Sequence, residues 1–191
     1  MRKAYLDIET NYTGHFEDGD HRLIRDYKNH KITVIGIRII DAEEDTFVQL
    51  VDKQVTKKRL LETLKGVDCI VTYNGRSIPD NFKGRSIPDN FKGYTGFDFP
   101  VIAAQLGVVL DKMYRHIDLV PVCWKHNLYG GQKKVEQILG LKRKLPDKDG
   151  AWANITWRKY EKTKKRRYLD ELLAYNKEDV FMLRRIEKAL K

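Results

Sequence analysis

Three β-patterned runs occupy the first fifty residues and alternating helix and strand patterns follow, an order that constrains the chain to a mixed sheet flanked by helices. Residues 3–9 alternate, with Ala4, Leu6 and Ile8 on one face and Tyr5, Asp7 and Glu9 on the other. That is the period of a strand. Residues 32–40 and 46–51 are rich in β-branched and aromatic side chains and are joined by the polar segment 41–45, as in a hairpin or meander. Thr56 is the expected N-cap of a short helix over 56–65 that ends before Gly66, and residues 68–73 predict a fourth strand stopped by Asn74-Gly75. Further on, the patterns predict a helix over 100–110, a fifth strand over 116–122, a helix over 131–139 and a long terminal helix over 168–190.

With 191 residues the chain fits one domain, so residues 1–191 are expected to form a single unit. Within it, the nine residues 75–83 recur without change as 84–92. Two such short copies are too few for a solenoid; a tandem duplication in a tolerant surface loop, inserted at about 75–96, is the natural reading. No apolar run approaches the roughly 20 residues of a membrane span. The early carboxylate at Asp7 argues against a signal peptide, and only Cys69 and Cys123 are cysteines, so a reducing, cytoplasmic setting is expected. Cys123 and His126 lack a second paired motif, which argues against zinc. The net charge of +10 suits a polyanionic partner; a lysine-rich surface would give the same number.

The carboxylates carry the sharper information. Asp7 and Glu9 share one strand face at roughly 7 Å between Cα atoms. Such a pair is tolerable if the face is solvated or if a cation sits between the two. On the terminal helix, a turn of about 100° per residue gathers Leu169, Leu172, Leu173, Val180, Leu183, Ile186 and Leu190 on one stripe, and Asp179 projects into it with Tyr175 one turn earlier. A carboxylate on a core-facing stripe is costly unless it is paired, metal-bound or leaning into water. Asp98, just before a helix with Pro100 in its first turn, reads by itself as an N-cap.

Asp7-Ile8-Glu9-Thr10, then Tyr73-Asn74-Gly75 leading to Phe97-Asp98-Phe99-Pro100, then Tyr175-Asn176-Lys177-Glu178-Asp179, resemble the motifs of the DEDD exonuclease superfamily. The tyrosine four residues before the last aspartate marks the DEDDy branch, which includes RNase D and the proofreading domains of family B DNA polymerases. Residues 131–140 and 175–183 make the chain most similar to the stand-alone bacterial and archaeal RNase H-like exonuclease domains. The likeness spans nearly the whole chain. One departure is that Asn74 and Asp98 lie further apart than the family places them, even after one nine-residue copy is removed, so the intervening loop must close back on itself.

The resemblance implies a ribonuclease H-like α/β fold, with a mixed five-stranded sheet of three antiparallel strands followed by parallel ones, flanked by helices. It also implies a 3′→5′ exonuclease acting on single-stranded nucleic acid, with DNA slightly favoured over RNA. By the same resemblance Asp7, Glu9 and Asp179 hold one divalent cation, Asp7 shares a second with help from Asp98, and Tyr175 orients the attacking water. All-oxygen ligands suit Mg²⁺ or Mn²⁺. Thr10 and Asn74 in the motifs are expected to contact substrate. So are Arg158, Lys165 and Arg166, from a run in which residues 158–167 hold seven positive charges among ten positions with Trp152, Trp157, Tyr160 and Tyr168 interleaved; a solvated helical face with core aromatics would look the same. The basic and aromatic residues of 75–96 are candidates for a flap over the substrate. Two rival functions fit the same sequence: a binding module whose site is inactive, and an endonuclease of the ribonuclease H or resolvase type.

Overall fold

The computed structural model describes residues 1–13, 26–76 and 96–191. Residues 14–25 and nearly all of the duplicated segment, with the flap expected there, lie outside the described residues.

The sheet has five strands, β1 (Lys3–Tyr12), β2 (His30–Ile40), β3 (Asp45–Val51), β4 (Cys69–Thr72) and β5 (Arg115–Asp118), in the order β3-β2-β1-β4-β5. β1 with β2 and β2 with β3 are antiparallel, whereas β1 with β4 and β4 with β5 are parallel. This is the mixed, ribonuclease H-like α/β arrangement expected. Seven α-helices flank it among the described residues: α1 (Lys57–Thr63), α2 (Asp98–Leu106), α3 (Leu110–Met113), α4 (Leu119–Lys125), α5 (Gln132–Ile138), α6 (Gly150–Thr163) and α7 (Arg166–Ala189). None is long and apolar enough to cross a membrane.

Alternation along β1 sends its two faces to different cores. Ala4, Leu6 and Ile8 join Ile35 and Ile37 of β2 under Leu60 of α1 and Val101 and Ile102 of α2. On the other face, Tyr5 packs with Val180, Leu183 and Ile186 of α7, and Val34 packs with Leu169, Leu172 and Tyr175 of α7 and Trp157 of α6. Each fully buried aliphatic chain of the α7 stripe contributes roughly 1.5–3 kcal/mol. Their sum outweighs the few kcal/mol it costs to carry a hydrogen-bonded carboxylate inward, so the stripe can hold Asp179 against the sheet. Leu173 and Leu190, expected on the stripe, are only half-buried at its edge.

Several boundaries differ from the sequence expectation for identifiable reasons. The fifth strand stops at Asp118, whose carboxylate accepts from Val120 N and starts α4; Pro121 sits in that first turn, where its missing N–H costs nothing. The helix expected over 100–110 ends at Leu106 because Gly107 is left-handed (φ 64°), leaving α3 as a separate turn. Sequence patterning gave no helix at α6. Its cap is nonetheless orthodox, with the Asp149 side chain accepting from Trp152 N, and Ala153, Thr156 and Trp157 lie on one buried face.

Candidate metal centre

β1 and α7 meet where Asp7 and Glu9 face Asp179. One carboxylate oxygen from each of the three lies within 4.8 Å of the others. Glu9 is 6 % exposed and Asp179 8 %, so water screens the group poorly. Burial, and then the neighbouring Asp179, push the Asp7 carboxyl well above its ordinary value; burial, then Asp7 and Asp179, do the same to Glu9. Asp179 is also raised by burial, although Arg143 and Lys133 pull against that. Like charges this close require either protons or a cation. An all-carboxylate oxygen set suits a hard divalent ion.

Asp98 is not one of these three but lies near enough to Asp7 for their charges to interact. It is the first residue of α2 with Phe97 as the cap, and its side chain makes no capping bond, which corrects the N-cap reading. Its carboxyl is buried, and one oxygen, Oδ2, has no hydrogen-bond partner. Burial raises its pKa first, then the charges of Asp7 and Asp118. An orphaned oxygen beside Asp7 fits a cation better than a cap.

The gap between Asn74 and Asp98 is closed by the backbone. Phe97 N donates to Asn74 O at 2.7 Å and Phe99 N to Gly75 O at 2.9 Å, so the chain returns to the point it left. Asn74 adopts φ 65°, and Asp118 clamps the turn: Asn74 N donates to its Oδ1 (2.9 Å) and Arg76 N to its Oδ2 (3.0 Å). Sequence reasoning missed Asp118. Its position between a strand pattern and Leu119-Val120-Pro121 is the signal that could have found it.

Two cations stand at the rim. Arg143, between α5 and α6, bonds both oxygens of the fully buried Glu136 and also Asp179 Oδ1, and lies 3.6 Å from Glu178. Lys133 Nζ donates to the Tyr175 hydroxyl at 3.0 Å and sits over its ring. Tyr175 is 4 % exposed; burial, then Asp179, Glu9 and Asp7, drive its phenol far above the usual value, so at neutral pH it is a hydrogen-bond donor. Trp152 packs against it with ring centroids 5.5 Å apart. A cleft of about 240 Å³ opens here, lined by Gly131, Gln132, Lys133, Lys134, Tyr175 and Asp179. Nothing in the run Leu141-Lys-Arg-Lys-Leu145 distinguishes Arg143 from its lysine neighbours, which is why the sequence did not reveal it.

The residues expected to contact substrate are more dispersed. Thr10 Oγ1 lies 3.2 Å from His30 Nδ1, and Asn74 Oδ1 is buried without a partner. Arg158 bonds Asn11 Oδ1 and Tyr12 O, anchoring α6 to the end of β1. Lys165 and Arg166 are exposed at the start of α7, where Arg166 pairs with Asp170; at 1.5 Å per residue they lie about 20 Å along the helix from Asp179. Trp157 is 1 % exposed and belongs to the core, whereas Trp152, Tyr160 and Tyr168 are half-buried. Cys123 is also core, with burial pushing its thiol up to about 12.

Searches among curated proteins and among solved structures found no significant match. A family model, RNase_H_2, described as RNase H superfamily, matches residues 90–191. That span, just over half of the chain, carries Asp98, Tyr175 and Asp179, while the five-stranded sheet supplies Asp7 and Glu9. The chain therefore belongs to the RNase H superfamily.

Proposed function

We propose that the protein is a divalent-metal-dependent 3′→5′ exonuclease of the DEDDy type, hydrolysing single-stranded nucleic acid, DNA before RNA. We read residues 1–191 as one ribonuclease H-like unit with an insertion at about 75–96. The observation that carries the function is the meeting of Asp7, Glu9 and Asp179 oxygens within 4.8 Å, with the unpartnered oxygen of Asp98 beside Asp7.

In this reading Asp7, Glu9 and Asp179 hold one Mg²⁺ or Mn²⁺ and Asp7 with Asp98 holds a second. Bound there, the ions supply an acidified water and charge stabilisation for the leaving 3′ oxygen. Tyr175, kept protonated by its surroundings, positions a water or phosphate oxygen by donation. Lys133, in the cleft beside it, offers a positive charge to the phosphate. Thr10 and Asn74 border the site, and Arg158, Lys165 and Arg166 extend a basic track toward the preceding nucleotides.

One observation favours a second reading, a nucleic-acid-binding module in which internal cations replace the metal: Arg143 bonds Asp179 directly. Arg143 and the Tyr175 hydroxyl both act on this carboxylate, so a metal there shares or displaces those contacts. A 5′-labelled single strand in Mn²⁺ decides the matter. The expected result is a ladder of progressively shortened products, with a circular strand left intact and activity lost in Asp7→Ala and Asp179→Asn. Binding without any product supports the inactive module, and cleavage of the circle supports an endonuclease.

A further inference from the structure

We propose that Asn176 is a positioning residue that fixes the Asp7 carboxylate for metal binding, and that residue 36 is glycine to make room for it. The proposal rests on the metal-centre reading above. Three strands present one row across the sheet: Asp7 of β1 pairs with Gly36 of β2, which pairs with Gln49 of β3. The fully buried Asn176 of α7 lies over that row. Its Nδ2 donates to Asp7 Oδ2 at 3.0 Å, and its Oδ1 accepts from Gln49 Nε2 at 3.0 Å.

The orientation of the amide is dictated by its neighbours. Gln49 Nε2 also donates to the Leu173 carbonyl at 2.9 Å, and a carbonyl only accepts. The NH₂ of Gln49 therefore faces α7 and meets Asn176 Oδ1. That leaves Nδ2 to face Asp7, which as an anion also only accepts. A reversed Asn176 would set oxygen against oxygen at Asp7 and NH₂ against NH₂ at Gln49. The chain of donors thus holds one Asp7 oxygen and leaves the other for the ion.

Gly36 completes the argument. A glycine inside a central strand weakens it and marks a close approach by another group. Here a Cβ would be driven into Asn176 Oδ1 and would stand 2.8 Å from Val180 Cγ2. The small residue is required by what lies over it.

The test measures Mn²⁺ binding calorimetrically on the full chain without nucleic acid, alongside kcat at saturating Mn²⁺. Removing a partner that orients a metal ligand typically weakens the metal about 10- to 100-fold. Asn176→Ala is expected to show a loss of that size with a smaller fall in kcat, and Gln49→Ala a lesser loss in the same direction. Gly36→Ala should reproduce the Asn176→Ala affinity, and the double variant should bind Mn²⁺ no worse than Asn176→Ala alone, because truncating Asn176 removes the Oδ1 clash and leaves only the Val180 methyl to yield. If Asn176→Ala and Gln49→Ala melt earlier but bind Mn²⁺ as the wild type does, Asn176 merely packs and the proposal falls. Failure of the wild type itself to bind Mn²⁺ overturns the metal-centre reading instead.

Discussion

Carboxylates gathered at β1, α2 and α7 make the folded chain hold protons that the unfolded chain has already released. Asp7 and Asp98 are raised from 3.8 and Glu9 from 4.5, first by burial. Between those ordinary values and the raised ones, the native state binds more protons than the unfolded state, so stability falls as pH rises. The contribution is intact below the ordinary carboxylate range and is lost as pH climbs through the folded-state values. Replacing Asp7 by Asn removes one charge from the cluster. In chelator, Asp7→Asn should match the wild type near pH 4 and become more stable toward neutrality. The gain is on the order of 1–4 kcal/mol, the repulsion of unit charges at about 4 Å for effective dielectrics from 80 down to 20. Urea titrations across pH measure it, and a difference that does not change with pH would contradict the cluster.

At the scale of elements, the segment between α5 and α6 packs Leu139, Leu141 and Leu145 against the core and is further tied by polar contacts to α5 and α7. Glu178 accepts from Lys144 N and Leu145 N, Arg185 donates to Lys142 O, and Arg143 spans Glu136 and Asp179. Arg143 and Glu136 are 5 % and 1 % exposed, so each depends on the other for neutralisation. Truncating one member of such a pair leaves an uncompensated buried charge and costs about 3–5 kcal/mol. Arg143→Ala should therefore destabilise by that order in denaturant titration, and Arg143→Lys should recover only part of it, because a lysine cannot fork between two carboxylates. A loss below about 1 kcal/mol, the range of exposed pairs, would show that the segment holds by other means. The elements themselves were unevenly legible. β1 to β4, α1 and α7 follow their periodicity. α6 and the short β5 do not, because α6 mixes a basic exposed face with aromatics that split between the core and the site, and β5 is cut off by a capping side chain.

The whole molecule couples folding to the metal. An ion that binds only the native state stabilises it by about 2.7 kcal/mol at a hundred times its Kd, which for a chain of this size raises Tm by roughly 5–10 °C. Mn²⁺ should produce such a shift in the wild type and little or none in Asp179→Asn, as read by scanning calorimetry; equal shifts in both would place the ion elsewhere. The acidic site is set within a chain of net charge +10. Such a field draws a polyanion to the surface, while the carboxylates at the centre accept it only with a cation between.

By itself the sequence determined the succession of strand and helix runs, the strand face shared by Asp7 and Glu9, and the helical stripe that turns Asp179 inward, because each follows from a local period of two or 3.6 residues. Only the tertiary structure decided how Asp98 returns to Asn74, which of three adjacent basic residues reaches Asp179, and why Gly36 lies under Asn176. Those contacts join residues far apart in the chain through single hydrogen bonds and close approaches, and neither leaves a periodic trace in a sequence.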